Sequence, residues 1–256
     1  MTLSLVMAFA SFNSQAATVV IGVDSSTADD GTATTNGSPE AIAIGTGATV
    51  GTGGLIADGG IAIGFNASAN SAGGTAALDT GATAVGSGAN ASGLGTTALG
   101  SEAAATNSAT TAVGLGANAS GPAATAIGAG TVASSEQSTA VGNNAIASGQ
   151  YSQAFGVGAQ ATNAYAISLG PESRATGIKS IAAGYMSHAE SFDSIAIGYE
   201  AYSANIEAIS LGRGSDALGI ASISIGADSA ANSDASIAIG AQSYAINAND
   251  VALGAG

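Results

Sequence analysis

The sequence predicts an all-β protein, a parallel β-roll (β-solenoid) built from coils of 14 residues. A glycine, the repeat glycine, stands at 13 positions in strict 14-residue register from Gly86 to Gly254. Large and small residues alternate before it, and Ala, Ser or Thr recur at fixed positions after it. Positions are counted from the repeat glycine, so that position −1 precedes it and position +1 follows it. A fixed short period over most of a chain is typical of stacked repeats.

The three residues before the repeat glycine predict a short strand. Position −1 is Val, Leu, Ile or Phe in every coil except at Ala183, and position −2 is always Ala or Ser. Position −3 is Thr from Thr83 to Thr139, then Gln153, then Ile, and finally Val251. Alternation of large and small residues with many β-branched side chains favours a strand over a helix.

The residues after the repeat glycine predict a second strand and a turn. Positions +3 and +5 hold Ala, Ser or Thr, whereas the residues between them vary freely. This pattern indicates one small-residue face and one face toward solvent. Position +7 is Gly, Asn or Ser, and we expect a turn there with positive φ at the glycines and asparagines. Equivalent strands of successive coils then pair in parallel, and no helix is expected in the repeats.

Before Gly86 the period loosens. Gly22, Gly45 and Gly64 end similar triplets at spacings of 23, 19 and 22 residues, which predicts the same coils with insertions. Residues 24–40 are expected to form the largest protruding loop.

The start of the chain has an apolar run and then small residues at Gln15–Ala17, but no basic segment. It is interpreted as a signal-peptide remnant at 1–17, followed by irregular coils at 18–85 and the regular roll at 86–256. Two alternatives are a start inside a longer signal and a first buried strand.

The composition limits both the core and the partners. The chain has 39 Gly, only 4% aromatic residues and 8% charged residues, so we expect a thin core with closely approaching backbones. Three Lys and Arg against 17 Asp and Glu give a net charge of −14, which argues against nucleic-acid binding. No cysteine is present, which excludes disulfides, thiolate metal sites and cysteine nucleophiles.

No catalytic or metal-binding pattern stands out. His188 is the only histidine; it occupies a variable column near Glu190 and Asp193, and we interpret it as a surface residue. A uniform roll offers no shaped, dry pocket for Ser-His-Asp chemistry. The "DDG" and "ADGG" stretches occur once each and are read as turns, not calcium sites. The protein is therefore expected to be no enzyme and to bind no cofactor or metal.

The packing of the roll has two solutions at this stage. In the first, the small residues fill the roll, and the bulky residues at positions −1 and −3 form an outward apolar stripe that needs a partner. In the second, the bulky residues fill the roll and the alanine column faces a neighbour. Both solutions favour self-assembly.

One cluster on the outer surface is the best candidate for ligand contact. Tyr185, Tyr199 and Arg213 occupy position +1 of successive coils, and Arg174 and Tyr202 occupy position +4. Residues 14 apart should stack into ladders, which gathers aromatic and cationic groups on one surface. The alternative is that these stacks are purely structural, and that the nearby apolar ladder from Ile178 to Ile220 seals a corner between protomers.

Units such as "SIAIG" at Ser194–Gly198 and Ser236–Gly240 resemble the head repeats of trimeric autotransporter adhesins, the YadA-like head. The resemblance covers about residues 41–256. It implies a left-handed roll, a homotrimer and extracellular display on a bacterial outer membrane. It also implies a non-enzymatic, virulence-associated adhesin whose rod attaches to host matrix proteins, cells or abiotic surfaces. The threonines at position −3 depart from this pattern. The family's coiled-coil stalk and membrane anchor do not follow Gly254, so a fragment or truncated product is expected, with membrane contact only through the missing anchor.

Two other functions fit the same roll. One is a structural module of a phage or viral fibre. The other is an ice-binding or carbohydrate-acting solenoid, suggested by five threonines at position −3. Ice-binding solenoids are expected to present a second threonine beside the first, and here that position holds Val, Leu or Ile. A buried or interface ladder of β-branched residues is the favoured interpretation. The five threonines are Thr83, Thr97, Thr111, Thr125 and Thr139.

Overall fold

A computed structural model describes residues 19–21, 33–34, 41–51, 59–70 and 81–255. These residues form strands and turns, with no helix among them. Accordingly, this part of the chain contains no helix with the length and hydropathy of a membrane span. The chain divides into two compact units, residues 1–130 and 131–256. The prediction of a signal-peptide remnant at 1–17 lies outside the described residues, and the proposed boundary at residue 86 stays a prediction.

The first unit alternates strands of three and two residues. The three-residue strands are Val19–Ile21, Ile42–Ile44, Ile61–Ile63, Thr83–Val85, Thr97–Leu99, Thr111–Val113 and Thr125–Ile127. The two-residue strands are Thr49–Val50, Ser68–Ala69, Asn90–Ala91, Ala104–Ala105 and Asn118–Ala119.

The second unit repeats the same alternation. Its three-residue strands are Thr139–Val141, Gln153–Phe155, Ile167–Leu169, Ile181–Ala183, Ile195–Ile197, Ile209–Leu211, Ile223–Ile225, Ile237–Ile239 and Val251–Leu253. Its two-residue strands are Val132–Ala133, Ile146–Ala147, Gln160–Ala161, Arg174–Ala175, His188–Ala189, Tyr202–Ser203, Asp216–Ala217, Ala230–Ala231 and Tyr244–Ala245.

Equivalent strands of successive coils pair in parallel. Ile195 pairs with Ile209, and Ile197 with Leu211, one 14-residue coil further on. The two-residue strands pair in the same register, as Tyr202 does with Asp216. Within each unit, the three-residue strands therefore pair with one another on one side of the roll and the two-residue strands on the other. The predicted parallel β-solenoid is confirmed.

Small side chains fill the roll. In the coil of Gly198, the inner residues Ser194, Ala196, Ala201 and Ser203 are all fully buried. Ile197, at position −1 of the same coil, is 43% exposed. Positions −4, −2, +3 and +5 thus form the core, and the bulky positions −3 and −1 point outward. The first packing solution is correct and the second is wrong, because four residues per coil leave a narrow interior that Ala, Ser and Thr fill in the regular coils; Val50, in an early coil, is the largest fully buried side chain among the described residues.

Several buried serines satisfy their hydroxyl groups inside the thin core, although Ser152 Oγ has no hydrogen-bond partner. The Oγ atoms of Ser210 and Ser215 lie 2.6 Å apart across one coil. Ser215 Oγ also donates to the carbonyl oxygen of Gly212 at 3.0 Å. A buried hydroxyl without a partner costs free energy, so these bonds explain why Ser replaces Ala in the core without disturbing it.

Two turns close each coil. In the first corner, the turn after the repeat glycine, the Ala201 amide donates to the Gly198 carbonyl oxygen at 3.4 Å, and Glu200 at position +2 has φ 53°. In the second corner, the turn after the two-residue strand, the Ser194 amide donates to the Ser191 carbonyl oxygen at 3.2 Å. Asp193, at position −5 in that turn, also has φ 53°. Each corner therefore holds one residue in the left-handed region.

The expected positive φ at position +7 is wrong. Gly149 and Gly177 at that position lie outside the left-handed region; the positive φ falls two residues later, at position −5. A Cβ added to Gly149 would lie 1.9 Å from the Asn163 carbonyl oxygen, so a side chain at Gly149 would require these two coils to shift apart locally. Where position +7 is polar, its side chain bonds the next coil, as Ser191 Oγ does in donating to the Ala204 carbonyl oxygen at 2.8 Å.

The described strands of the early coils pair in the same way as those of the regular coils. Val19 pairs with Ile42, Ile42 with Ile61, and Ile61 with Thr83. Within the predicted loop at 24–40, Thr34 pairs with Thr49 in a parallel bridge. That segment is therefore not one uninterrupted loop, because it supplies a rung next to the two-residue strands. The rest of the segment lies outside the described residues, apart from Ala33.

Candidate functional site

The outward side chains at positions −3 and −1 form the apolar face. In the second unit this face carries isoleucine and leucine in almost every coil, and several of them are well exposed, including Leu169 at 42% and Ile239 at 39%. A continuous apolar stripe of this kind usually marks a surface that another molecule covers. Its members from Ile167 onward are Ile167, Leu169, Ile181, Ala183, Ile195, Ile197, Ile209, Leu211, Ile223, Ile225, Ile237, Ile239, Val251 and Leu253.

The outward side chains at position +4 form the polar face, on the opposite sheet. Arg174, His188, Tyr202 and Asp216 follow one another there in strand register. The rings of His188 and Tyr202 meet edge to face at 6.2 Å. Tyr202 Oη donates to Glu190 Oε2 at 2.9 Å. This column offers charged, aromatic and hydrogen-bonding groups to solvent.

Two groups on the polar face have shifted pKa values. Burial raises the pKa of Tyr202, and its hydrogen bond to the Glu190 carboxylate raises it further. Burial also raises the pKa of Asp216 above the ordinary value of 3.8. Both shifts favour the neutral form, because a charge beside the Ala and Ser core loses part of its hydration.

The first corner carries an aromatic stack and an ion pair. The rings of Tyr185 and Tyr199 stack with centroids 5.6 Å apart and planes 21° apart. In the next coil Arg213 Nη2 lies 2.5 Å from Asp228 Oδ2. A hydrogen bond to the Glu200 carboxylate raises the pKa of Tyr199. The three groups at position +1 thus form a continuous exposed row.

The five residues predicted to contact a ligand fall into two groups. Tyr185, Tyr199 and Arg213 lie on the first corner, whereas Arg174 and Tyr202 lie on the polar face. The stacking of residues 14 apart is as predicted. The sequence reasoning missed two acidic partners, Glu190 for Tyr202 and Asp228 for Arg213, which the 14-residue spacing does not connect.

The second corner carries its own row of aromatic and apolar groups. Tyr151 and Tyr165 stack with centroids 5.2 Å apart, and Lys179 Nζ lies 5.2 Å from the ring centroid of Phe192. Ile206 and Ile220 on the same corner are 44% and 46% exposed. This corner is therefore as rich in contact groups as the first.

The candidate groups among the described residues lie in rows along the polar face and the two corners. His188 lies on the polar face with its ring against Tyr202, within a row of strand side chains. Among the residues that the structure describes, no three His, Asp or Glu side chains gather in a way that would hold a metal ion. The interactions that these surfaces can make are aromatic stacking, ion pairing and apolar packing, repeated from coil to coil.

Comparison with known protein families gives one match. The model of the YadA head domain repeat, which contains two copies of the repeat, matches residues 80–256 except for residues 104, 174 and 202–216. A search of curated proteins found no match. The matched segments are 80–103, 105–131, 119–145, 133–154, 147–173, 175–201, 217–243 and 231–256.

Proposed function

Because the chain belongs to the YadA head domain family, we propose that it is a non-enzymatic adhesin head that acts as a homotrimer on a cell surface. Its place is extracellular, exposed from a bacterial outer membrane. The role is attachment to matrix proteins, cells or abiotic surfaces. Many weak contacts on repeated coils and three chains add through avidity.

The observation that carries the proposal is the division of the roll into an apolar and a polar face. The small-residue core leaves the isoleucines and leucines of the apolar face outside each chain. Three chains that turn this face toward a common axis would bury it and leave the polar face in solvent. A surface of this kind, long and free of charge, favours a permanent assembly over a transient one.

Light scattering on the full chain tests the assembly. The expected mass is three times the 23.8 kDa of the chain. Ile209→Asp places a charge on the apolar face and should shift the mass toward one chain, because burying an unpaired carboxylate is costly. Ile146→Asp is the matched control, since Ile146 occupies position +4 of the polar face, and it should remain trimeric. A monomeric wild type, or equal behaviour of the two variants, would contradict the proposal.

We propose that ligand contact takes place on the polar face around Arg174 and Tyr202. There Arg174 is exposed, and Tyr202 is partly exposed beside His188. The trimer can be assayed for binding to wells coated with matrix glycoproteins, to epithelial cells and to polystyrene. Arg174→Ala combined with Tyr202→Ala should lower binding to whichever surface is bound, whereas Gln160→Ala combined with Ala230→Ser on the same face should not. Equal loss in both pairs would contradict a role specific to Arg174 and Tyr202.

The same contact role for Tyr185, Tyr199 and Arg213 stays a prediction. These residues lie at the edge of the apolar face, where a neighbouring protomer competes with any ligand for access. A binding assay on Tyr199→Ala therefore has to be accompanied by a measurement of the trimer mass, which separates loss of ligand contact from loss of assembly.

A further inference from the structure

We propose that the first corner of one protomer pairs with the second corner of the next, residue by residue within each coil. In this pairing the residue at position +1 of one chain meets the residue at position −5 of its neighbour. The inference rests on the proposed homotrimer and specifies which side chains join its protomers. The partner is a second copy of this chain.

The geometry of a ring brings the two corners together. Within one chain the extended strand Ile209–Leu211 separates Glu207 at position −5 from Arg213 at position +1, so the two residues lie at opposite edges of the apolar face. When three chains turn this face to a threefold axis, each chain's leading edge meets the trailing edge of the next. Rotation about the axis keeps equivalent residues at one height. The rise within one coil is a fraction of the roughly 4.8 Å between coils, so residues of the same coil meet.

The residues that this pairing brings together are chemically complementary in three successive coils. Arg213 meets Glu207 of the same coil, which gives a charge-assisted hydrogen bond. One coil earlier Tyr199 meets Asp193, a phenol beside a carboxylate. One coil before that, Tyr185 meets Lys179, an ammonium beside an aromatic ring.

The match extends to coils without charges. Pro171 meets Tyr165, a ring pair of matching shape, and Asn143 meets Gln137, two polar amides. In three coils both corners carry alanine, whereas Leu115 stands opposite Ala109 and Ala255 opposite Asn249. The small pairs are Ala129 with Ala123, Ala227 with Ala221 and Ala241 with Ala235.

The side chains at these corners are available for such contacts. Tyr185 and Tyr199 are 43% and 49% exposed, and Lys179 and Glu207 are exposed as well. Arg213 already binds Asp228 in its own chain, with its side chain 62% exposed. A guanidinium has five N–H donors, so a second carboxylate from the neighbour can join this pair.

The pairing also gives a reason for the placement of the cations. The chain has only three Lys and Arg against 17 Asp and Glu, so three chains side by side repel one another. Two of the three cations, Lys179 and Arg213, lie at the paired corners. There each faces an electron-rich or anionic group of the neighbour instead of another cation.

Disulfide trapping tests the pairing, because the chain contains no cysteine of its own. The full chain carrying Arg213→Cys and Glu207→Cys is oxidised and run on a non-reducing denaturing gel. The control carries Arg213→Cys and Lys179→Cys, which use the same two corner positions two coils out of register. The φ values of Glu207 and Lys179 are 57° and 59°, so both variants place cysteine in the same backbone conformation. Light scattering on the reduced proteins reports the assembly separately.

The expected result is a covalently linked trimer for the Arg213–Glu207 pair and no link for the control. A disulfide needs Cα atoms within about 7 Å, and two coils add roughly 10 Å. A trimeric mass without this link, or equal linking in both variants, overturns the pairing and leaves the trimer standing. A monomeric mass for the reduced wild type overturns the pairing and the proposed assembly together.

Discussion

Gly198 lies so close to Gly212 of the next coil that a Cβ added to Gly198 would come within 2.2 Å of the Gly212 carbonyl oxygen. The φ of Gly198 is 140°, a value that residues with a side chain rarely adopt. Both constraints recur along the ladder of repeat glycines, as Gly212 shows against Gly226 at 2.4 Å. The 14-residue glycine period is therefore a requirement of two backbones in contact.

Gly198→Ala should destabilise the protein by about 2–5 kcal/mol, because it combines backbone strain with a clash against a main-chain carbonyl. The control is Gly158→Ala, where φ is 67° and the added Cβ would meet only the Glu172 side chain at 3.6 Å. It should cost about 1 kcal/mol. Denaturant midpoints at a fixed chain concentration measure both. Equal losses of stability in the two variants would show that the close approach of the Gly198 and Gly212 backbones adds nothing to the cost of a side chain.

Glu172→Gly should stabilise the protein by up to about 1 kcal/mol, because Glu172 has a φ of 55° and a side chain in the left-handed region is strained. Glu136→Gly is the control: Glu136 is also an exposed glutamate, but its φ lies outside that region. This control should lose about 0.5–1 kcal/mol through the added freedom of the unfolded chain. Thermal unfolding followed by circular dichroism separates the two. Destabilisation by both variants would argue against stored strain at this turn.

Ala196→Val should destabilise by about 1–3 kcal/mol, because Ala196 is fully buried in a core of small residues. Ala196→Ser is the matched control, since Ser210 and Ser224 occupy the same column one and two coils further on and are equally buried. The serine variant should stay within about 1 kcal/mol of wild type. Urea titration gives both values. A tolerated valine would mean that the roll can widen.

The strands and their register follow from the sequence because the 14-residue period and the alternation around each repeat glycine are local signals. The orientation of the strands does not. By alternation alone, either the small residues at the position of Ala196 or the large residues at the position of Ile197 could face the interior. Only the width of the roll decides that the alanines lie inside. That width depends on contacts between backbones in neighbouring coils, which no single stretch of sequence reveals.

The turns show the limit of residue preferences. Glycine and asparagine at position +7 suggested positive φ there, yet the left-handed residues of that corner are Lys179, Asp193 and Glu207 at position −5. Hydrogen bonds across the turn impose this conformation whatever the side chain.

At the candidate site, the 14-residue spacing predicted the stack of the Tyr185 and Tyr199 rings. The acidic partner Asp228 follows Arg213 by 15 residues, one coil and one position, and escaped detection.

Asp216→Asn should stabilise the protein at neutral pH. Burial raises the pKa of Asp216 above 3.8, so the folded state holds its proton more tightly than the unfolded state does. Where the folded state binds more protons, stability falls as pH rises. The cost of the charged Asp216 is therefore absent below pH 3.8 and fully present above the raised pKa.

Urea midpoints of wild type and Asp216→Asn between pH 3 and pH 7 measure this difference. The advantage of the variant should be largest at pH 7 and should shrink as the pH falls through the pKa of Asp216. Glu172→Gln corrects for the loss of one negative charge from a net charge of −14, since general repulsion among carboxylates also eases in acid. An advantage for Asp216→Asn that stays constant with pH, or that Glu172→Gln reproduces, would mean that burial of this carboxyl does not limit stability.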